Sequence, residues 1–365
     1  MATTATTLPI VDLDVFRARG ENDAAALAEC AKAADALVTF GALIVRDSRV
    51  HDADNETFLD LLEDYFAQPE PALKEDERPE LGYQVGVTLE NTEKPKCAVD
   101  ESCLSIIARL DPAERPLDIA GHHPDPKCRF FYRPKQDAPP YATAFPGLNA
   151  ENVVPRDPRF AAVWHDVLGR WGSSMKNAVE GVAEMAAVGL GLPRSTFTDA
   201  GKYGPHLLAP TASDLRKYGE KDTILAGFHT DLNFLTIHAA SRYPGLHIWA
   251  RNTGKRIPVA VPRGHLLVQA GKQLEHLSGG RVKAGFHEVV VNERTISTIE
   301  RRKQEHPDRP LIRISSTFFW HLNSDYDLRP LETLSGKEAD AETAYPAMKV
   351  GEQVQMELRH IALMA

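Results

Sequence analysis

The sequence His229-Thr-Asp231 places an imidazole and a carboxylate two positions apart. In a β-strand, alternate residues point to the same face of the sheet, so both side chains can reach one metal ion. A second histidine from another strand would complete a set of two histidines and one carboxylate. Such a set binds iron(II) on one side and leaves the other side open for oxygen and substrate. The spacing therefore predicts a metal site, provided that this segment forms a strand.

The H-x-D pattern alone does not identify the ligand pair, because the chain contains three examples of it. The patterns that begin at His123 and His306 have a central proline, which favours a loop and fits poorly inside a sheet. Only the pattern at His229 opens an apolar run that favours β-structure, FHTDLNFLTIH. We therefore expect His229 and Asp231 to be the metal-binding pair.

The third ligand is expected on another strand. His287 is the best candidate, because the sequence VVV that follows Glu288 favours a strand. His276 is its rival, but the surrounding sequence QLEHLSGG is more typical of a turn. His238 and His247 also lie in strand-like segments, and we interpret them as ordinary packed or surface histidines.

Arg313 and Ser315 are also two positions apart in a strand-like segment, IRISSTFFW. A guanidinium beside a hydroxyl suits a carboxylate, because the planar fork of arginine can donate two parallel hydrogen bonds. A surface arginine on an edge strand is the alternative that the residues alone leave open.

Hydrophobic periodicity indicates which elements position these residues. Helical spacing predicts helices over residues 24–37, 55–66, 160–190 and 345–364, with Asn55 as the cap of the second. Residues 41–45 and 129–132 are predicted to be short strands, the latter within an otherwise irregular stretch from 68 to 158. After residue 203, short runs rich in β-branched and aromatic residues alternate with Gly, Pro and Asn. We expect an antiparallel sandwich or barrel that is wrapped by helices from both ends.

Composition excludes several classes of function. The net charge of −9 argues against a surface that binds nucleic acid. Four cysteines in a chain of 365 residues do not form a disulfide framework, and we expect them to be reduced. The N-terminal sequence lacks the features of a signal peptide, and there is no long apolar run that could span a membrane. A cytoplasmic protein without a membrane partner is therefore expected.

Several motifs in a fixed order point to one family. They are residues 8–13 (LPIVDL), 41–45 (GALIV), 229–236 (HTDLNFLT), 245–249 (GLHIW), 266–271 (LLVQAG) and 278–280 (SGG), then His287 with its following valines, and residues 313–319 (RISSTFF). This order resembles the 2-oxoglutarate- and iron(II)-dependent dioxygenase superfamily, in the branch of isopenicillin N synthase. The resemblance covers residues 8 to about 330.

The resemblance implies an α+β fold with a double-stranded β-helix, or jelly-roll, core between N-terminal and C-terminal helices. Its parts would be an N-terminal helical and mixed region (1–200), the catalytic core (201–335) and a C-terminal helix (336–365). Iron would bind His229, Asp231 and His287, and Arg313 and Ser315 would bind the far carboxylate of 2-oxoglutarate.

By the same resemblance, Tyr218 would also face the cosubstrate, although Arg216 stands where the family usually has asparagine. Residues 300–310 lengthen the segment before Arg313 and are interpreted as a charged surface insertion. Glu288 replaces the arginine that commonly follows the second histidine.

The resemblance implies an Fe(II)- and 2-oxoglutarate-dependent dioxygenase that oxidises a C–H bond of a small molecule, by hydroxylation, desaturation or cyclisation, with release of succinate and CO2. An Fe(II) oxidase that uses O2 without 2-oxoglutarate is the alternative, because isopenicillin N synthase keeps the R-x-S pair. A cupin-like hydrolase or isomerase and a non-catalytic sensor are rivals from other classes. The segment from Arg129 to Arg133, with Lys135, could meet an anionic substrate or form a solvated strand edge.

Overall fold

The computed structural model describes residues 7–95, 97, 100–117, 124–135, 137–335, 343–361 and 363. His123, which begins one of the H-x-D patterns, and residues 336–342 of the predicted C-terminal helix (336–365) lie outside the described residues. The helices are α1 (Leu13–Arg19), α2 (Ala24–Phe40), α3 (Asp52–Phe66), α4 (Glu70–Lys74), α5 (Glu101–Arg109), α6 (Pro158–Gly189), α7 (Thr196–Gly201), α8 (Leu215–Tyr218), α9 (Lys272–Leu277), α10 (Glu293–Glu305), α11 (Glu332–Ser335) and α12 (Val350–His360).

Short strands alternate with these helices, most of them in the second half of the chain. They are β1 (Ile10–Asp12), β2 (Ala42–Arg46), β3 (Gly86–Thr88), β4 (Cys128–Phe131), β5 (Leu207–Leu208), β6 (Thr211–Asp214), β7 (Ile224–His229), β8 (Leu235–His238), β9 (Leu246–Trp249), β10 (Arg256–Pro258), β11 (His265–Ala270), β12 (Phe286–Val290), β13 (Ile312–Ser315), β14 (Thr317–Trp320), β15 (Asp327–Leu328) and β16 (Met348–Lys349).

Two sheets carry the residues of interest. A six-stranded sheet has the order β1-β2-β11-β8-β14-β5, and a four-stranded sheet has the order β10-β9-β12-β7. A further sheet, β13-β6-β4-β3, holds Arg313 and Ser315 on its edge strand. Except for the parallel pair of β1 and β2, the strand pairs in these sheets are antiparallel. The predicted α+β class with a jelly-roll core is confirmed.

Strands from the N-terminal region complete two of the sheets. Strand β2 pairs with β11 of the core, and β4 pairs with β6. The predicted boundaries at residues 200 and 335 therefore stay a proposal that divides the sequence into segments, because the N-terminal segment shares sheets with the core.

The apolar stripe of the long helix α6 is buried in the core, as its helical spacing predicts. Asp157 caps its N-terminus by accepting from the Arg159 amide, and Pro158 occupies the first turn, where a missing N–H costs nothing. Trp164 and Trp171 are buried as predicted, and the Trp171 indole donates a 2.7 Å hydrogen bond to the Ser316 hydroxyl, next to the R-x-S pair. The helix thereby supports the strands that carry Arg313 and Ser315.

Two local predictions are wrong for identifiable reasons. Asn55 does not cap α3, because the helix begins at Asp52 and the Asn55 amide donates instead to the Ala240 carbonyl. In the QLEHLSGG segment, residues 273–277 lie in helix α9 and only residues 278–280 form the predicted turn. The first amides of α9 donate to the Asp231 and Asn233 carbonyls, so in both cases contacts distant in sequence decide the outcome.

The expectation that all cysteines are reduced is also wrong, since Cys97 and Cys103 form a disulfide. Asp100 accepts from the Cys103 amide and starts α5, which turns the chain so that the two Cα atoms are 5.1 Å apart. Cys30 and Cys128 are free thiols.

The predicted charged insertion is partly helix α10 and is tied into the fold by ion pairs. Glu63 of α3 is almost fully buried and pairs with Arg242 (3.0 Å), Arg302 (3.4 Å) and Arg309 (3.0 Å). Residues from three distant segments therefore meet at one carboxylate.

Replacement of Glu63 by glutamine is expected to destabilise the protein by about 3 kcal/mol, because the largely buried Arg302 loses the carboxylate with which it is paired. Urea unfolding of E63Q measures the change in the free energy of unfolding. The control is E56Q, the same substitution at an exposed carboxylate that also contacts Arg242, for which a loss under about 1 kcal/mol is expected. Equal stabilities of E63Q and E56Q would contradict this account.

Candidate metal centre

The side chains of His229, Asp231 and His287 converge on one point. The pairing of β7 with β12 sets His287 directly opposite His229, and the two imidazole rings are 4.2 Å apart between centroids. The Asp231 Oδ1 atom lies 3.7 Å from His229 Nε2 and 3.8 Å from His287 Nε2. One ligand atom from each residue lies within 4.8 Å of the other two, so the three could hold a metal ion.

Each ligand side chain is oriented by a contact of the atom that does not face the metal site. The Nδ1 atom of His229 lies 2.6 Å from the Gly227 carbonyl, and that of His287 lies 3.4 Å from the Gly285 carbonyl. These contacts place the Nδ1 proton toward the backbone and leave Nε2 free for a metal. The Thr236 hydroxyl donates a 2.7 Å hydrogen bond to Asp231 Oδ2, which leaves Oδ1 facing the histidines.

The protonation states suit metal binding. Burial, and then the neighbouring His287, lower the pKa of His229 to about 4, so this imidazole is neutral at pH 7. Burial raises the pKa of Asp231, but the two imidazoles and the Thr236 hydroxyl outweigh it, and the pKa is lowered overall. A neutral imidazole beside an ionised carboxylate is ready to coordinate without releasing a proton. The short His–Asp distances therefore reflect converging ligands rather than ion pairs.

A cavity opens in front of these three residues. Besides them, its wall is formed by Ser315, by polar residues of several strands and loops, and by one face of α12. The residues that line this cavity include Glu93, Asp125, Lys127, Arg129, Phe131, His238, Phe319, Val354 and Leu358.

Arg313 and Ser315 lie together as predicted. Arg313 Nη1 donates a 2.7 Å hydrogen bond to the Ser315 hydroxyl, and its Nε lies 3.5 Å from the Pro244 carbonyl. Ser315 lines the cavity of the metal ligands, and Arg313 lines an adjoining cavity that shares His238, Leu246 and Ser315 with it.

Arg313 is an uncompensated cation. It is buried, and within the described residues no carboxylate forms an ion pair with it. Burial lowers its pKa to about 10, so the guanidinium still carries its charge at pH 7. A buried unpaired charge is costly, and a carboxylate ligand would remove that cost.

The remaining candidates lie elsewhere. Tyr218 packs beside the apolar cluster of Leu215, Leu225 and Val289 and does not line either cavity. His276 is packed at 5.5 Å from the Tyr345 ring, away from the metal ligands, and His247 contacts the Gly245 carbonyl. The structure therefore brings together five of the six predicted site residues.

His238 was not predicted to be part of the site. It lies on β8 and lines both cavities, with Nδ1 3.0 Å from the Thr317 hydroxyl and Nε2 3.0 Å from the Gln269 amide nitrogen. Burial is the main reason that its pKa is lowered to about 3, so the ring is neutral. On a strand, His238 shares a face with Thr236, two positions earlier, and Thr236 contacts the ligand Asp231. This two-residue spacing was the sequence feature that could have indicated His238.

Comparison with known proteins agrees with this arrangement. The sequence model of the 2OG-Fe(II) oxygenase superfamily matches residues 202–322, which contain the three converging ligands and the R-x-S pair. Kihadalactone A synthase LFS of Citrus sinensis is 26% identical over 259 residues, or 67% of this chain, and the match spans 64% of that protein's length.

Solved structures share the fold over nearly the whole chain. The full-length Neurospora crassa T7H in complex with alpha-KG and thymine has a TM-score of 0.71 at 19% identity and covers 98% of both chains. A putative 2OG-Fe(II) oxygenase family protein from Caulobacter crescentus has a TM-score of 0.70 at 21% identity, over 97% of this chain and 99% of that one. The resemblance inferred from the sequence motifs is confirmed: residues 202–322 match the sequence model of the 2OG-Fe(II) oxygenase superfamily.

Proposed function

We propose that this protein is an Fe(II)- and 2-oxoglutarate-dependent dioxygenase that oxidises a C–H bond of a small molecule. One O2 and one 2-oxoglutarate would be consumed for each substrate oxidised, with release of succinate and CO2. The observation that carries the proposal is the convergence of His229, Asp231 and His287 at a cavity that also contains Ser315.

The donor set fits iron(II). Two imidazole nitrogens and one carboxylate oxygen on one side of an open cavity are the ligands that non-haem iron oxygenases use. Bound there, iron and 2-oxoglutarate would supply the oxidising chemistry. The protein would hold the three ligands, place the substrate and exclude water.

Arg313 and Ser315 would bind the far carboxylate of 2-oxoglutarate. The uncompensated charge of Arg313 and the adjacent hydroxyl of Ser315 suit that group. The T7H complex with alpha-KG and the match to the superfamily support the use of 2-oxoglutarate over the alternative of an oxidase that needs only O2. A contact between Tyr218 and the cosubstrate is not proposed, because Tyr218 lines neither cavity.

A small-molecule substrate is proposed by analogy with the thymine bound to T7H, and neither nucleic acid nor a membrane is proposed as a partner. Among the described helices none combines the length and the apolarity needed to cross a membrane. The cytoplasmic location stays a proposal, against which the Cys97–Cys103 disulfide stands, because disulfides are rare in a reducing cytosol.

An anaerobic titration of the Fe(II)-loaded protein with 2-oxoglutarate tests the proposal directly. A visible charge-transfer band is expected, because the cosubstrate would chelate the metal. The R313A variant should need at least about tenfold more 2-oxoglutarate for half of the signal, since a charge-assisted hydrogen-bonding partner is lost.

The control for R313A is R301A, which removes an exposed arginine at the rim of the adjoining cavity. Its half-saturation should equal that of the wild type. Absence of a band in the wild-type protein, or equal half-saturation in R313A, would contradict the assignment.

Thr236 offers a second test. T236V removes the hydroxyl that holds Asp231 Oδ2 and is expected to weaken iron(II) binding by about 10- to 100-fold. T236S keeps the hydroxyl and should restore most of the affinity. Competition with a fluorescent metal chelator measures both values, and wild-type affinity in T236V would show that the hydroxyl does not position the carboxylate.

A further inference from the structure

Four charged side chains form a buried cluster on the wall of the cavity. We call Glu93, Asp125, Lys127 and Arg129 the charged wall. Lys127 lies 2.8 Å from Asp125 and 3.3 Å from Glu93, and Arg129 forms an ion pair with Glu93. All four side chains are about nine-tenths buried and line the cavity of the metal ligands. The metal ligands require none of these charges.

The wall is joined to the metal centre through the backbone. Asp125 accepts a 3.0 Å hydrogen bond from the Gly227 amide, two residues before His229. Arg129 and Asp231 line the same cavity, so Arg129 faces the space that a substrate near the metal would occupy.

Some N–H groups of the Arg129 guanidinium are not used by contacts within the protein. Its guanidinium lies over the Phe131 ring, 4.0 Å from the ring centre, which holds the plane in one orientation. The ion pair with Glu93 engages Nη2, and both Nη2 and Nε are buried from solvent. A guanidinium has five N–H donors in a rigid fork, so the N–H groups of Nη1 remain for a ligand in the cavity that Arg129 lines.

The charge balance around the cavity is positive. The wall itself holds two carboxylates and two cations, and Lys94 and Glu357 at the same cavity add one charge of each sign. Arg133 is buried, and its guanidinium donates to the carbonyls of Ala150 and of Gln84, a residue that lines the cavity. No described carboxylate forms an ion pair with Arg133, and burial lowers its pKa to about 9.

The cosubstrate of the proposed reaction would not supply the missing anion. Its two carboxylates and Asp231 carry three negative charges, and iron(II) with Arg313 carries three positive charges. The positive charge of Arg133 therefore remains without a counter-ion, and another ligand could supply one. A buried cation without a counter-ion is costly, so a negative group bound beside it would be favoured.

The rest of the cavity is apolar. Phe131, Leu207, Phe319, Val354, Leu358 and Ile361 line it. A ligand that matches both surfaces has a hydrocarbon body and one anionic end.

We propose that the substrate is a small organic acid with an apolar body, and that Arg129 binds its carboxylate. The inference rests on the proposed function, since it concerns the substrate of the same metal site. Arg129 binds the carboxylate through Nη1, the nitrogen that the ion pair with Glu93 leaves open, and the unpaired charge of Arg133 favours a negative group in the same part of the molecule.

Calorimetric titration with matched ligands tests this proposal. The protein is loaded anaerobically with Fe(II) and 2-oxoglutarate and is titrated with the carboxylates of the series phenylacetate to 5-phenylpentanoate. The corresponding primary amides have the same body and no charge. At least one acid is expected to bind about tenfold or more tightly than its amide, because the charge-assisted hydrogen bond to Arg129 is lost in the amide.

Three variants assign the preference to Arg129. R129Q is expected to bind the acid and its amide with affinities within about twofold of each other, because the charged fork is absent. Because R129Q leaves Glu93 with only Lys127, the double variant E93Q/R129Q removes both charges and should also lose the preference. R170Q, the same change at an exposed arginine of α6, should keep it.

Equal affinities for acids and amides, a preference that survives in R129Q, or no binding of any acid would overturn the proposal. The charge-transfer band of the loaded protein, recorded before any ligand is added, reports on the proposed function separately. A normal band without acid preference rejects only the inference about the substrate. A missing band rejects the proposed function.

Discussion

The antiparallel pairing of β7 with β12 is the constraint on which the site depends. In this register His229 stands opposite His287, and both histidines point their Nε2 atoms toward Asp231. A slip of one residue would turn every side chain of a strand to the other face and would separate the two imidazoles. Phe228 and Phe286, the residues just before the two histidines, stack with their rings 4.5 Å apart on the opposite face. Burial of these rings specifies the register, and the register places the ligands.

The surrounding structure tolerates buried charge where ligands are expected. Arg313 and Arg133 are both buried cations without a described carboxylate, whereas Arg242, Arg302 and Arg309 share Glu63, and Lys127 and Arg129 share Glu93. Most buried charges are thus paired within the protein. The charge of Arg313 is left for a ligand to pair, and this difference connects stability with function.

The parts of the site that lie on single strands were predictable from the sequence. His229 with Asp231, and Arg313 with Ser315, follow from the two-residue period of a strand, and His287 follows from the valines after it. The long buried helix α6 was predictable for a similar reason, since its apolar stripe repeats at helical spacing.

The remainder depends on contacts between distant segments, which no local pattern encodes. The charged wall brings Glu93 to Arg129, the disulfide depends on the turn that Asp100 starts, and Asn55 reaches Ala240 instead of capping its own helix. The sequence around His238 is that of an ordinary packed histidine, and its place at the cavities depends on the position of β8 between β11 and β14. Tyr218 was carried over from the family motif, and its neighbours place it outside both cavities.

The most direct test of the account is anomalous diffraction at the iron absorption edge, from crystals soaked with Fe(II) without oxygen. The account predicts a single strong peak between His229 Nε2, Asp231 Oδ1 and His287 Nε2, with the remaining coordination positions facing the cavity. A peak bound by other residues, or no peak between these three atoms, would contradict it.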